Sequence, residues 1–155
     1  MNATKVTQLK QAIVAHCRTH VNSRIRSTEE AIRLAQQSAN EETKSSSGDK
    51  YETGRAMAQL EIEKAGGQLA EAKKLMLALE RIDVERSSGT VGRGSLVITN
   101  QGNYFLAIPA GKVVIDDITW FALSPFSPLG AALIGRHAGD TVEVNGKKII
   151  LTAVD

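Results

Sequence analysis

The chain has 155 residues, with 19 basic against 17 acidic side chains and a formal net charge of +2. That length makes one ordinary domain or two small ones, and so small a net charge makes any general attraction to nucleic acid weak, so a hold on a polyanion has to be local. No apolar run approaches the roughly 20 residues of a membrane span, the first residues lack the layout of a secretory signal, and the single cysteine, Cys17, excludes an internal disulfide. A soluble, cytoplasmic protein is the expectation.

The first half carries two heptad-spaced apolar series. One runs Val6, Leu9, Ile13, Cys17, Val21, Ile25, Thr28, Ile32, Ala35, Ala39, and the other Ala58, Ile62, Ala65, Leu69, Ala72, Met76, Leu79, Ile82. Steps of three and four keep one face of each helix apolar, which is the seam of a two-helix coiled coil. Cys17 falls on that seam and reads as a small buried apolar group. Between the series, Ser45-Ser46-Ser47-Gly48 has no helix-favouring side chain, and Gly48 permits a reversal. The expectation is a long antiparallel helical hairpin over residues 1–84 with its tip near 43–52. Helices of roughly 30 residues would reach about 45 Å. Architecture alone leaves two uses open: reach, or pairing of two hairpins into a four-helix bundle.

Arg86-Ser87-Ser88-Gly89 breaks the helical pattern, and residues 85–155 switch to period two. Strand-like stretches are Thr90-Val91, Ser95–Thr99, Tyr104–Ile108, Lys112–Ile115, Thr119–Leu123, Thr141–Val144 and Lys148–Val154. Asn145-Gly146 predicts a two-residue hairpin turn. A short helix fits Pro128 to Ile134, with Ser127 as cap, Pro128 at the first helical position and Gly135 past the end. The fold class is therefore α+β: a helical hairpin, then a small antiparallel sheet with one short helix. Tyr104, Phe105, Trp120, Phe121 and Phe126 hold nearly all the aromatic content and are assigned to the core of that sheet.

The tip carries the one close carboxylate pair that follows a glycine, Gly48-Asp49-Lys50-Tyr51-Glu52. If a helix starts at Asp49, both acids point outward on one side. The same pattern also fits a capping box, worth about 1 kcal/mol and needing no metal. This tip resembles that of the Gre transcript cleavage factors, GreA and GreB, where a Gly-Asp-x-x-Glu carries the working acids. A second stretch, Ser127-Pro128-Leu129-Gly130-Ala131-Ala132-Leu133-Ile134-Gly135-Arg136-His137-Ala138-Gly139-Asp140-Thr141-Val142, is similar to the carboxy-terminal domain of the same family. The two motifs, their order and the hairpin length span essentially the whole chain.

The resemblance implies an FK506-binding-protein-like carboxy-terminal domain that docks on bacterial RNA polymerase through Ser127, Pro128 and Leu129, while the coiled coil enters the secondary channel. Asp49 and Glu52 would then help hold a second Mg²⁺ in the polymerase active centre, where backtracked RNA is hydrolysed. In that reading Asp49 is the direct ligand, and Glu52 acts through water or orients the nucleophile. Mg²⁺ suits carboxylate oxygens and takes few from any one partner, and two-metal sites activate the attacking water and stabilise the leaving oxygen. The chain would be no enzyme by itself but a monomeric stimulator of the polymerase, touching nascent RNA indirectly and holding no Mg²⁺ when free. Lys44, Lys50 and Arg55 are candidate RNA contacts, with solvated surface charges as the plain alternative.

Two departures from the family pattern stand out. Lys50 and Tyr51 sit between the acids, where GreA has an apolar and a small residue, and Phe126 precedes Ser127-Pro128 where the family places Asp or Asn. Lys50 and Tyr51, with the serine-rich tip, keep open a factor that enters the channel without cleaving, and Phe126 bears on the affinity for the polymerase. A third possibility is a prolyl-isomerase-like binding module, although the several aromatics plus an Asp of such a pocket are not placed by the sequence. His16 and His20, one turn apart, have a metal-binding spacing with no third ligand to complete it. His137 is expected at the surface, and Asp116-Asp117 in a loop.

Overall fold

The computed structural model describes residues 2–42 and 48–155, without the side chains of residues 42 and 48–51. Its elements in chain order are α1 (Ala3–Glu42), α2 (Gly48–Glu80), β1 (Leu96–Thr99), β2 (Asn103–Leu106), β3 (Gly111–Ile115), β4 (Ile118–Leu123), α3 (Pro128–Leu133), β5 (Thr141–Val144) and β6 (Lys147–Val154). The fold is α+β. Contacts divide the chain into two compact units, residues 21–76 and residues 1–20 with 77–155. The beginning of α1 and the last residues of α2 thus group with the sheet.

Residues 21–76 hold the facing parts of α1 and α2. Val21, Thr28 and Ala35 are buried on α1, and Ala58, Ala65 and Ala72 on α2, each series at steps of seven. The intervening seam positions Ile25, Ile32, Ile62 and Leu69 are half-buried. Thr28 and Gln68 line one shallow groove, and both lie about 20 residues from the link between the helices, which makes the pair antiparallel and in register. Alanine lets two backbones approach closely at little cost in side-chain entropy.

In the other unit Asn2 caps α1, its side-chain oxygen accepting from the Lys5 N–H at 2.8 Å. Val6, Ile13, Val14 and Cys17 are buried there, and so is Lys10, at 1% exposure. Leu9, the seam residue expected from its apolar character, is only half-buried. Val6, Lys10, Ile13 and Cys17 also follow steps of four and three, so helix phase, not polarity, decides which of the two neighbours points inward.

The six strands form one sheet in the order β3-β4-β2-β1-β6-β5. The expectation of an antiparallel sheet fails at one pair: β2 and β4 run parallel, Phe105 opposite Ala122. After β2 the chain passes over one sheet position, lays β3 at the edge, and returns as β4 in the gap. Period-two patterning marks strands but not partners, so the swap is invisible in sequence. Thr90-Val91, expected as strand, forms none. Val91 instead exchanges backbone hydrogen bonds with the segment that follows α3: its N–H donates to Arg136 O, and Gly135 N–H donates to its carbonyl, both at 2.9 Å.

One face of the sheet packs Val97, Leu106, Val142, Ile149 and Leu151 with Val91 and with Leu133 of α3. Register puts Leu96, Phe105, Ala122, Trp120 and Val113 together on the other face, all buried. Two tight turns use the left-handed region at both central residues: Asn145-Gly146 (φ 53° and 77°), as expected, and Asp116-Asp117 (φ 50° and 63°). Both match the twist of their hairpins, and Asp tolerates that region better than most side chains.

Candidate functional site

α2 begins at Gly48, so Asp49 is its second residue, in the first turn, and Glu52 its fifth, at the start of the second. Glu52 is exposed. The capping-box alternative turns on the Asp49 side chain and so lies outside what is described. Negative charge in the first turn is favoured by the unpaired N–H groups of the helix start, by about 0.3–1 kcal/mol per group. Of the expected RNA contacts, Arg55 is exposed one turn after Glu52. Lys50 lies in the first turn with its side chain outside the description, and Lys44 lies outside the described residues altogether.

Among the described residues no cluster of three or more His, Cys, Asp or Glu is placed to hold a metal ion. His16 and His20 are both exposed and have no third ligand among them. Asp49 and Glu52 offer two carboxylates, whereas Mg²⁺ takes six oxygens in octahedral geometry. As a donor set the pair suits a partial contribution to a site that waters and another molecule complete.

The second motif lies on α3, where the expected cap is present. Ser127 Oγ accepts from the Gly130 N–H at 3.0 Å and donates to the Ser124 carbonyl at 2.7 Å. Pro128 opens the helix and Gly135 (φ 82°) follows it. A Cβ at Gly130 would overlap the Ser124 carbonyl oxygen, so only glycine allows the Ser124–Gly130 loop to close this tightly. The three expected docking residues therefore differ in availability. The Ser127 hydroxyl is used inside the loop, Leu129 packs against the core, and Pro128 is exposed.

Phe126 corrects the aromatic assignment. It is 85% exposed and not part of the core, and Phe121 is 39% exposed while touching Tyr104 at 6.2 Å between ring centres. With Pro125, Ala131 and Ile134, Phe126 lines an open apolar groove of about 570 Å³. The signal was present in the sequence: Phe126 sits between two prolines next to a helix cap, where no strand can run. A second cleft of about 550 Å³ is lined by Tyr104, Leu123, Pro128, Leu129, Val144 and Ile149 among others. Burial pushes the Tyr104 phenol above its ordinary value. Tyr104 is the one aromatic ring there and no Asp lines the cleft, so the residue set of a prolyl isomerase is not brought together at it.

His137 is exposed, as expected, and partnered: its Nε2 lies 2.9 Å from Thr90 Oγ1, and its backbone N–H donates to Asp140 Oδ2 at 2.8 Å. No described helix is long and apolar enough to cross a membrane.

No family model and no curated protein matches the chain. Among solved structures, it is similar to a Gre factor homolog. That structure is the GreA factor homolog 1 protein of Thermus thermophilus, with 19% identity, coverage of 87% of this chain and 92% of that one, and a TM-score of 0.34. The functional reading therefore rests on the residues of this chain.

Proposed function

We propose that this protein is a Gre-type factor that binds RNA polymerase, passes its helical hairpin into the secondary channel and stimulates cleavage of backtracked RNA. The observation that carries the reading is the start of α2 at Gly48, which puts Asp49 and Glu52 among its first five residues. Two acids at such an end can be delivered into another protein's active centre, while acids along the helix flanks cannot. A Mg²⁺ ion bound there would supply the polarised water and charge stabilisation of two-metal hydrolysis. Asp49 contributes a carboxylate oxygen, Glu52 orients water, and the polymerase supplies the remaining ligands. Arg55 and the lysines at positions 44 and 50 offer positive charge to the extruded transcript. Pro128, with Phe126 beside it, is the part of the second motif available to the polymerase.

In this reading the chain is not an enzyme alone. Stalled elongation complexes at physiological Mg²⁺ should lose nucleotides from the transcript 3′ end when the protein is added. Binding without shortening would replace the proposal by a channel-blocking regulator, the reading that Lys50 between the two acids favours. Failure to bind polymerase would remove both.

A further inference from the structure

We propose that the cleft bounded by the N-terminal part of α1 and residues 81–95 binds a small phosphorylated anion of nucleotide size. The cleft has a volume of about 420 Å³, and its lining includes Lys10, Arg81, Asp83, Arg86, Thr90 and Arg93. That volume lies in the usual range of small-molecule pockets and exceeds what a lone phosphate fills. The inference does not depend on the polymerase reading, because none of these residues belongs to either motif that supports it.

Lys10 is the informative member. It is 1% exposed, and Nζ donates to the Arg86 carbonyl at 2.9 Å. An ammonium has three donors, and no second acceptor and no carboxylate within ion-pair distance engages it among the described residues. Burying a cation without a paired anion is expensive. Consistent with that cost, burial lowers the Lys10 pKa, while the charges of Asp155 and Asp83 pull it back up. Three arginines share the cleft, and among the described residues no hydrogen bond or ion pair engages their guanidinium groups. Against these four cations the lining holds one carboxylate, Asp83, and Asp155 acts on Lys10 from outside the lining, so a multiply charged anion would balance the charge.

The frame is built before any ligand arrives. Gly94 (φ 86°) lies so close to Ile82 that a Cβ would come within 3.0 Å of Cγ2. The Gly94 N–H donates to Leu106 O at 2.6 Å, and Ser95 closes the turn through its N–H to Gly92 O and its Oγ from the Gly92 N–H. The turn carrying Arg93 is thereby held against the segment carrying Arg81. Guanidinium forks match phosphate oxygens in pairs, and a buried lysine adds a point charge beneath them.

The test is titration calorimetry with orthophosphate, pyrophosphate and ADP at constant ionic strength, on the full chain and on Arg81→Gln and Arg93→Gln. Both substituted residues are exposed, so melting without ligand should match the parent chain. The expected result is saturable one-to-one binding of at least one anion with Kd below about 1 mM, weakened about tenfold or more in each variant. Pyrophosphate or ADP should bind more tightly than orthophosphate, and orthophosphate as the tightest binder would overturn the nucleotide-size assignment. Absence of saturable binding up to about 10 mM, or binding undiminished in both variants, would overturn the proposal.

Discussion

Among the described residues between Val21 and Met76 the buried positions are Val21, Thr28, Ala35, Ala58, Ala65 and Ala72, whereas the other unit buries Trp120, Phe105, Ile13, Leu79, Leu96, Leu106, Ile108, Leu133 and Leu151. The two units are stabilised differently. Alanine removes little apolar area from water, so the hairpin segment depends on helix propensity and close backbone approach. The sheet unit has large side chains, a hydrogen-bonded ladder and tight turns. A segment that needs only two parallel cylinders of backbone is free to carry polar chemistry at its end, and one that must hold a loop such as Ser124–Gly130 to within a fraction of an ångström needs a real core.

Amide hydrogen exchange read separately over residues 21–76 and over the strands can break this comparison. Trp120→Ala should cost about 3–5 kcal/mol in the strands and leave the residue 21–76 amides nearly unchanged. Equal loss in both would mean one cooperative body and sink the comparison. Ala65→Leu should act in the reverse sense, costing about 1–3 kcal/mol in the hairpin segment by overpacking. Unchanged exchange there would show that the alanine seam is not tightly closed.

Gly66 and Gly67 lie within α2, and a Cβ at either meets nothing within 4 Å. Gly66→Ala and Gly67→Ala should each stabilise the segment by about 1 kcal/mol, checked by the same exchange measurement. Loss of stability would reveal a role for backbone freedom.

Cys17 sharpens the comparison from the other unit. Burial raises its thiol from an ordinary 9.0 to about 11. A raised acid pKa means that the folded state favours the neutral thiol. Its contribution to stability is therefore complete below pH 9 and is lost as pH rises through about 11. Labelling by a thiol reagent at pH 8 should be slow in the native protein and fast in urea. Fast native labelling would show that the base of α1 opens readily.

The heptads were legible because seam positions alternate regularly with charged ones, and they located nearly every buried residue of both helices. They missed Lys10, where a polar residue took the buried phase in place of Leu9, and Val14, buried beside Ile13. Asn145-Gly146 and Ser127-Pro128 were legible because their backbone geometry restricts residue choice. The exchange of β3 and β4 was not, since the same alternation serves parallel and antiparallel neighbours. Phe126 was misassigned because hydrophobicity was weighed without the proline on either side. The acid pair could be placed near the start of α2 from the glycine and serines before it, but the partners proposed for it would lie in another molecule and leave no pattern in this chain. The Lys10 cleft was illegible for a related reason: its cations are dispersed over positions 10 to 93, and only the packing of α1 beside residues 81–95 collects them.

The most direct test of the central claim compares the parent chain with Asp49→Ala/Glu52→Ala on backtracked elongation complexes, measuring transcript shortening and polymerase binding together. The account predicts that the double variant binds with unchanged affinity and shortens transcripts about 100-fold more slowly or worse, the scale on which loss of metal-orienting groups acts. Undiminished shortening by the double variant would contradict it.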